Sequence, residues 1–393
     1  MSRWGRSKEA TDARKSTIGD LPTDIKQRIL EYMPIQVAAR TSILSKRWPY
    51  IWSTQPNLVF DHHFFQYVSN NRASAGRIIH KILMRHTGLI LGFQLISREH
   101  KLAQSDVDQC ITFLLENGVQ KLTIDMANNK PYALPCAIFS SSTLTHLKLS
   151  RCIFELPDVI KLPNLVSLNL ELAELASRKT VRFPHLPMLE ILKINMSRIC
   201  SYTEIFSFYH VAPMLRSIKH LYLAGSFLEN SWMVPEPERL VQPLNLERLI
   251  LYDLEISYKH IYCALCFLRI SPKLYELSIR ETVRVGDTPS NTTELLSNYF
   301  SEPRNLVNEA LKMIKTVRLR KFKGSRVEMC LVRLLLAHSL NLEKMIIEQY
   351  SRNATRCNEH LKELVSFPRA SPKAVLKYLE SPSHETRKRA APV

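Results

Sequence analysis

Glycine is scarce in this sequence: only 9 of its 393 residues are glycine, about 2% against a usual value of about 7%. None of the nine lies in a G-x-G-x-x-G or G-x-x-x-x-G-K-[ST] motif, so two common phosphate-binding loops are excluded. No apolar run reaches the ~20 residues of a membrane span. The first sixteen residues are polar and basic, without the apolar core of a secretory signal. We therefore expect a protein of the cytoplasm or the nucleus that does not contact a membrane.

Recognisable metal-binding and catalytic motifs are also missing. Cys263 and Cys266 form a single C-x-x-C pair, whereas a zinc site needs about four ligands. The eight cysteines are scattered along the chain, and we expect reduced, mostly buried thiols. There is no H-E-x-x-H and no G-x-S-x-G. We expect no metal, no cofactor and no catalytic residue, and a hydrolase with a site assembled from distant residues is the least favoured reading.

Leucine and isoleucine recur instead in a frame of the form L-x-x-L-x-L, with other apolar residues tolerated at its three positions. We call these three positions the frame positions. The ten copies are Ile90–Phe93–Leu95, Val119–Leu122–Ile124, Leu144–Leu147–Leu149, Leu165–Leu168–Leu170, Leu189–Leu192–Ile194, Ile218–Leu221–Leu223, Leu246–Leu249–Leu251, Leu274–Leu277–Ile279, Ile314–Val317–Leu319 and Leu342–Met345–Ile347.

Most copies begin within the ~20–29-residue spacing of leucine-rich repeats. The L-x-L pair predicts a short strand whose alternate side chains point inward, and each unit buries its leucines only against its neighbours. The alternative is a set of amphipathic helices that show the frame by chance, which ten spaced copies disfavour. The sequence thus predicts an α/β leucine-rich-repeat solenoid, a curved, mostly parallel sheet with helices on the convex side.

Residues before the array predict helices rather than repeats. Pro22 suits a helix start, Pro34 marks a break, and Pro49 should end the second helix. Residues 73–87 and 105–116 predict two further helices, the second with Ser105 and Asp108 at capping-box spacing. In the second N-terminal helix, one face is formed by Val37, Thr41, Leu44 and Trp48.

This N-terminal segment resembles the F-box of plant F-box/FBD/leucine-rich-repeat proteins. The matching pieces are Asp20-Leu21-Pro22, Ile29-Leu30, Met33-Pro34, Ala39-Arg40-Thr41-Ser42, Leu44-Ser45, Arg47-Trp48 and Trp52. The C-terminal section resembles the FBD domain of the same proteins through Phe322-Lys323-Gly324, Leu334-Leu335-Leu336, Leu342-Glu343-Lys344-Met345 and the run 367–372.

Together, patterns and resemblance predict six segments. These are a disordered basic tail (1–16), an F-box-like helical module (17–62), linker helices with a first α/β unit (63–118), the leucine-rich-repeat array (119–300), an FBD-like domain (301–380) and a second disordered basic tail (381–393).

The resemblance implies a non-catalytic substrate adaptor of an SCF-type ubiquitin ligase. It implies that the F-box binds a Skp-type linker, and through it a cullin and a RING subunit that serve ubiquitin transfer. The residues implied to bury against the linker are Leu21, Pro22, Ile25, Ile29, Leu44 and Trp48. Two departures concern this contact. Val37 stands where the family usually has an Asp that would cap the second helix, and Pro49 stands where a basic residue is common.

The residues between the frame positions predict a recognition surface. Its middle and later units combine Arg with Tyr and His, a composition suited to carboxylate or phosphate groups. The candidate substrate-facing residues are His220, Tyr222, Arg248, Tyr252, Glu276, Arg280, Arg318 and Arg320. We expect an acidic or phosphorylated target protein there. A solvated polar face without a particular ligand is the equal alternative.

Positive charge offers a second reading of the function. The chain carries 54 Lys+Arg against 36 Asp+Glu, a net charge of +18, which favours acidic partners. The segment 312–326 holds seven basic residues and no acidic residue, so a repeat protein that binds nucleic acid is the alternative. Because Val317, Leu319 and Phe322 interleave with these cations, a strand with a solvated basic face is favoured over nucleic acid binding.

Overall fold

The structure is a computed structural model of the chain. It describes residues 20–44, 51–70, 74–98, 100, 102–126, 132–155, 157, 159–176, 186–200, 214–228, 243–254, 258–281, 311–350 and 354–379. The predictions on both tails, on Trp48 and on Pro49 lie outside these residues. The chain forms two compact units, residues 1–119 and 120–393, and the finer six-segment division stays a prediction.

The first unit combines helices with a pair of parallel strands, of which the spacing of prolines and apolar residues predicts the helices but not β1. Pro22 immediately precedes the first helix, and the second begins directly after Pro34. Strands β1 and β2 pair in parallel. The elements are α1 (Thr23–Glu31), α2 (Ile35–Leu44), a 3-10 turn (Ile51–Thr54), β1 (Asn57–Phe60), α3 (His62–Asn70), α4 (Ala75–Arg85), β2 (Gly92–Ile96) and α5 (Gln104–Glu116).

Two predictions about helix starts in this unit are wrong. Helix α5 begins at Gln104 after Ala103, without a side-chain cap, so Ser105 and Asp108 form no capping box. Helix α2 begins at Ile35, and Val37 therefore lies within its first turn instead of before it. A cap accepts bonds from the free amides that follow it, a role that position 37 cannot have here. The departure at Val37 removes no cap.

The second unit consists of parallel strands connected in part by helices. Its strands are β3 (Lys121–Asp125), β4 (Tyr132–Ala133), β5 (His146–Ser150), β6 (Cys152–Phe154), β7 (Ser167–Ala176), β8 (Ile191–Cys200), β9 (His220–Ala224), β10 (Arg248–Leu254), β11 (Glu276–Glu281), β12 (Thr316–Phe322), β13 (Lys344–Gln349) and β14 (Val375–Leu379). Its helices are a 3-10 turn (Cys136–Ser140), α6 (Gly225–Leu228), α7 (Tyr258–Ile270), α8 (Arg326–His338) and α9 (Ala354–Ser366).

Strand order in this unit follows the chain. Strands β3, β5 and β7 to β14 pair in that order, every pair parallel, while β6 bridges β4 and β7. Each of the ten frame copies puts its L-x-L pair on a strand, and no frame side chain is more than 6% exposed. The predicted α/β class with a mostly parallel repeat sheet is confirmed. The physical reason is that each strand buries its alternate side chains against those of its neighbours.

The backbone repeats a bulge two residues after the third frame position. Four non-glycine residues there have a positive φ of 50 to 60°: Arg151, Leu172, Asp253 and Lys321. At the last three of these positions the pairing register also shifts. A β-bulge ends regular pairing and turns the following side chain. In these strands the bulge therefore marks the residue at which side chains stop alternating between the two faces of the sheet.

A second repeated feature joins neighbouring repeats through asparagine. An Asn directly before the first frame position donates its side-chain amide to a carbonyl of the preceding repeat. The three instances are Asn164 to Ser142 (2.7 Å), Asn245 to Arg216 (3.2 Å) and Asn341 to Lys312 (2.8 Å). These bonds satisfy carbonyl groups that lie outside the strands.

The lone cysteine pair is buried, as predicted. Cys263 and Cys266 lie in α7 and are at most 1% exposed. Burial raises the pKa of the Cys263 thiol well above its usual range, which makes an inert, protonated side chain. None of the described helices is long and apolar enough to cross a lipid bilayer.

Candidate interaction surfaces

Helix α1 turns one row of side chains inward and leaves the next row accessible. Leu30 is fully buried, and Lys26, one turn before it, is buried as well. Ile25 and Ile29 form the adjacent row at i, i+4 spacing. Ile25 is 40% exposed and Ile29 is half-buried. An apolar row is therefore accessible on a helix whose other face already packs inside the unit.

The exposed apolar surface continues past the end of α1. Tyr32 is 83% exposed, Met33 is 36% exposed and Val37, on α2, is 41% exposed. We call Ile25, Tyr32, Met33 and Val37 the apolar patch. Tyr32 and Met33 were not among the predicted site residues. The sequence signal was their position between two short helices, where a small module lacks interior space for every large apolar side chain.

The structure leaves the six predicted linker-binding residues in different states. Leu21 is half-buried, Pro22 and Ile25 are exposed, and Ile29 is half-buried. Leu44 ends α2, and its side chain, like all of Trp48, lies outside what the structure describes. The side chains of the first four are thus at least partly accessible on α1 and the residues just before it.

Side-chain contacts hold the two helices of the patch in place. Arg40 on α2 donates a 2.9 Å hydrogen bond to the Tyr67 hydroxyl on α3, and its guanidinium lies 4.7 Å from the centre of that ring. On α1, the Gln27 amide donates to the Thr54 carbonyl at 3.2 Å. The apolar patch is therefore carried by helices that polar contacts fix to the rest of the unit.

In the second unit the residues between the frame positions share one face of the sheet. We call this face, from β5 to β13, the polar face. Its middle row of paired positions runs through Lys148, Asn169, Lys193, Tyr222, Ile250, Ser278 and Arg318. All eight predicted substrate-facing residues lie on this face or at its margin, on β9 to β12.

Most cations of the polar face are paired with a carboxylate. Glu171 forms ion pairs with two lysines, and three arginines of the later strands each have an acidic partner on a neighbouring strand. The pairs are Lys148–Glu171 (3.8 Å), Lys193–Glu171 (3.9 Å), Arg248–Glu276 (3.1 Å), Arg280–Asp253 (3.0 Å) and Arg320–Glu348 (3.5 Å). Pairing neutralises much of the positive field that the composition suggests.

Tyr252 is less available than the sequence predicts. It is only 7% exposed, because Lys193 and Arg280 lie over its ring at 5.2 and 5.5 Å from the ring centre. Burial, reinforced by the charges of Glu171 and Asp253, raises the pKa of its phenol. Tyr252 thus supports the heads of two cations, and little of its own surface remains for a partner.

His220 and the basic segment occupy the same face. His220 is half-buried, and burial together with the Arg248 charge lowers its pKa, so the ring is neutral near pH 7. The segment 312–326 contains β12, in which Val317, Leu319 and Phe322 are buried. The favoured prediction for this segment, a strand with its cations on the accessible side, is confirmed in its strand geometry.

A buried acidic pair joins Glu281 to Glu328 of the predicted FBD-like segment. Glu281 and Glu328 are 8% and 1% exposed. The Glu328 carboxylate accepts the backbone N–H of Ser325 at 2.8 Å and that of Lys323 at 3.1 Å, and with Ser325 it forms a capping box at α8. The Lys323 Nζ lies 3.2 Å from Glu281. Burial, with the nearby Glu328 charge, raises the pKa of Glu281 to about 7.

Potential metal-ligating side chains come together once within the described residues, at Asp61, His62 and His63. Asp61 accepts the backbone N–H groups of His63 (3.0 Å) and Phe64 (3.2 Å), so it caps α3. The cap explains the position of Asp61 without an ion.

Comparison with known proteins agrees with this arrangement. Residues 18–60 match the F-box domain. An F-box/FBD/LRR-repeat protein of Arabidopsis thaliana is 28% identical to this chain, covering 92% of the chain and 98% of the relative. Two FBD-associated F-box proteins of the same plant are 24% identical (83% of this chain, 89% of the relative) and 27% identical (56% and 53%).

The predicted resemblance is confirmed at this level. The match to the F-box domain contains α1, α2 and the apolar patch. The repeat frame accounts for the sheet of the second unit, in line with the repeat-containing names of the relatives. The chain thus carries an N-terminal F-box domain and is homologous over most of its length to plant proteins named F-box/FBD/LRR-repeat proteins.

Proposed function

We propose that this chain is a non-catalytic substrate adaptor of an SCF-type ubiquitin ligase. F-box domains in general bind a Skp-type linker, and proteins that join an F-box to leucine-rich repeats are typically adaptors in such ligases. The linker would connect the chain to a cullin and a RING subunit, which serve ubiquitin transfer. The polar face would bind the target protein. The adaptor would act in the cytoplasm, the nucleus or both.

The observation that carries the proposal is the apolar patch within the F-box match. Ile25 and Val37 project from two helices whose inward faces already pack inside the unit, and Tyr32 and Met33 project from the turn between them. Large apolar groups clustered on a small module mark a partner surface. Leu21, Pro22 and Ile29, accessible to differing degrees on the same stretch, would extend that surface toward the start of α1.

Binding of the purified chain to a Skp-type linker tests the proposal. We expect the wild-type chain to bind, and an Ile25→Asp/Val37→Asp double variant to bind at least about a hundredfold more weakly, because two charges would enter an apolar interface. Met84→Asp is the matched control: Met84 is a 53% exposed apolar residue of the same unit that lies on α4, outside the F-box match.

The outcomes separate the interface from the fold. Retained binding by the double variant at unchanged thermal stability would show that the linker contacts another surface. Equal loss in the Met84→Asp control would mean that any added charge disturbs the unit. Absence of binding by the folded wild-type chain would reject the adaptor proposal. Capture of nucleic acid with steep salt dependence would then favour the alternative of a basic repeat protein.

A further inference from the structure

Three arginines meet on the polar face where β11 and β12 pair. Arg280 on β11 lies directly opposite Arg320 on β12 in the pairing register. Arg318 precedes Arg320 by two residues, so both side chains leave β12 on the same face. We call Arg280, Arg318 and Arg320 the arginine cluster. Adjacent paired strands bring these side chains into one neighbourhood although the sequence separates them by up to forty residues.

Two guanidinium groups of the cluster have a covered donor without an acceptor. The Nε atoms of Arg280 and Arg318 are covered from solvent and have no hydrogen-bond partner within the described protein, whereas the Nε of Arg320 lies 3.5 Å from the Glu348 carboxylate. Other parts of the side chains of Arg280 and Arg320 remain accessible, since these are 40% and 41% exposed. A covered donor without an acceptor is unfavourable, more so on a charged group. An acceptor from a bound partner would relieve this cost at Arg280 and Arg318 together.

The charges of the cluster are incompletely balanced. Arg280 pairs with Asp253 and Arg320 with Glu348. Arg318 has no acidic partner within 4.0 Å among the residues that the structure describes. The register places Ser278 and Ile346 beside it, neither of which is charged. The cluster therefore combines three cations with two anions and leaves one guanidinium for an outside anion.

A phosphate group fits this arrangement better than a single carboxylate does. A guanidinium offers N–H donors in a rigid fork that suits phosphate oxygens, and three forks require more oxygen atoms than a carboxylate provides. A phosphorylated side chain carries three terminal oxygens and a charge near −2 at neutral pH. The Tyr252 ring lies 5.5 Å from the Arg280 guanidinium and holds that head in place, which reduces the ordering that binding requires.

We propose that the arginine cluster binds a phosphorylated side chain of the target protein, with Arg318 as the main contact. This inference rests on the proposed adaptor function, because it assigns the chemistry by which the polar face recognises its target. The target would therefore be bound after phosphorylation and released when the phosphate is removed.

The test observes the arginine Nε–H groups of the whole chain by nuclear magnetic resonance during titration with O-phospho-L-serine. We expect the Arg318 signal, assigned by its disappearance in Arg318→Lys, to shift in a saturable way. The Arg318→Gln variant should bind about tenfold more weakly, because a hydrogen bond between charged groups is lost. Arg333→Gln is the control: it removes the same charge from an exposed position on α8 and should leave the affinity unchanged.

A short Gly-Ser peptide gives the second set of probes. The peptide with phosphoserine should bind more tightly than O-phospho-L-serine. The same peptide with glutamate in place of phosphoserine should bind at least about tenfold more weakly than the phosphoserine peptide, since glutamate has one charge and two oxygens. Equal binding of the two peptides would mean that the site recognises any acidic group and not phosphate in particular, which would overturn the proposal. Tighter binding of a single-stranded RNA, lost in Arg318→Gln, would overturn it in favour of nucleic acid.

Other outcomes separate this proposal from the adaptor proposal. An unmoved Arg318 signal in a chain that binds the linker rejects only the phosphate site. A shifted signal in a chain that fails to bind the linker rejects only the adaptor role. An equal loss of affinity for O-phospho-L-serine in Arg333→Gln would show that binding depends on the net charge of the protein and not on the arginine cluster. If Arg318→Gln unfolds, the wild-type titration and the Arg318→Lys variant still decide, since lysine keeps the charge but has no forked donor.

Discussion

The two candidate surfaces of this chain differ in their chemistry. The apolar patch of the first unit exposes large side chains without charge, such as Tyr32 and Val37. The polar face of the second unit exposes cations, most of them paired with a carboxylate of a neighbouring strand. At the apolar patch, the free energy of binding comes from burial of apolar area. At the polar face, it comes chiefly from ion pairs that a partner forms with the cations.

This contrast follows from how each unit satisfies its apolar residues. In the repeat sheet, every frame residue packs against the equivalent residues of the neighbouring strands, which leaves the alternate positions for polar groups. Helices α1 and α2 are short and bury only one side. A repeat array can thus complete its core internally, while a small helical module leaves apolar surface for a partner.

The largest expected difference is in the free energy of unfolding when an apolar residue is truncated to alanine in the repeat core and in the apolar patch. Leu251 on β10 is fully buried, and Leu251→Ala should lower the free energy of unfolding by about 2–5 kcal/mol because it leaves a cavity. Val37→Ala in the apolar patch should change it by less than about 0.5 kcal/mol. Urea denaturation of both variants gives the comparison. A cost at Val37 as large as that at Leu251 would mean that the patch belongs to a core.

The next largest effect is the pH dependence of stability that arises from Glu281, a carboxyl group buried in the second unit. Burial raises the pKa of Glu281 to about 7 from its ordinary 4.5, so the native state keeps a proton that the unfolded state has lost. Stability should therefore fall as the pH rises from about 4.5 to about 7, by at most about 3 kcal/mol.

The Glu281→Gln variant should remove this fall, because glutamine does not ionise. Urea denaturation at several pH values between about 4.5 and about 7.5 measures it. Glu343→Gln is the matched control, since Glu343 is an exposed acid that lies 3.9 Å from Lys315. An identical pH slope in wild type and Glu281→Gln would show that another group is responsible.

The smallest effect is the salt dependence of the two surfaces. Between about 50 and about 500 mM NaCl, binding of the phosphoserine peptide to the polar face should weaken several-fold, because salt screens exposed charges. Binding of the linker to the apolar patch should change by less than about twofold. Calorimetry at the two salt concentrations measures both, and a linker affinity with the steeper dependence would reverse the assignment of the two chemistries.

Much of the architecture could be predicted from the sequence. The frame predicted the inward side chains of the parallel strands, because a period of two on adjacent repeats has only one face to bury. Pro22 and Pro34 marked the start and the break of the first two helices, since proline fixes φ and lacks a donor. The F-box could be recognised from short motifs that the comparison then matched over residues 18–60.

The sites were less predictable, since they depend on contacts between distant residues. The resemblance implied that Val37 replaces a capping Asp, whereas α2 begins earlier and places this side chain on an exposed surface. It treated Tyr252 as a contact residue, although Lys193 and Arg280 cover the ring. Capping and burial are decided by a few atoms of neighbouring elements, which spacing alone does not reveal.

By itself the sequence determined the repeat, the direction of its apolar side chains and the resemblance of its N-terminal module, since each depends on local periodicity or a short motif. Only the tertiary structure decided which cations are paired and which are free. Arg318 and Arg320 are two residues apart on one strand, yet among the residues that the structure describes only Arg320 has an acidic partner, because β13 places Glu348 opposite it and Ile346 opposite Arg318. Pairing across parallel strands is set by register, and register exists only in the folded sheet.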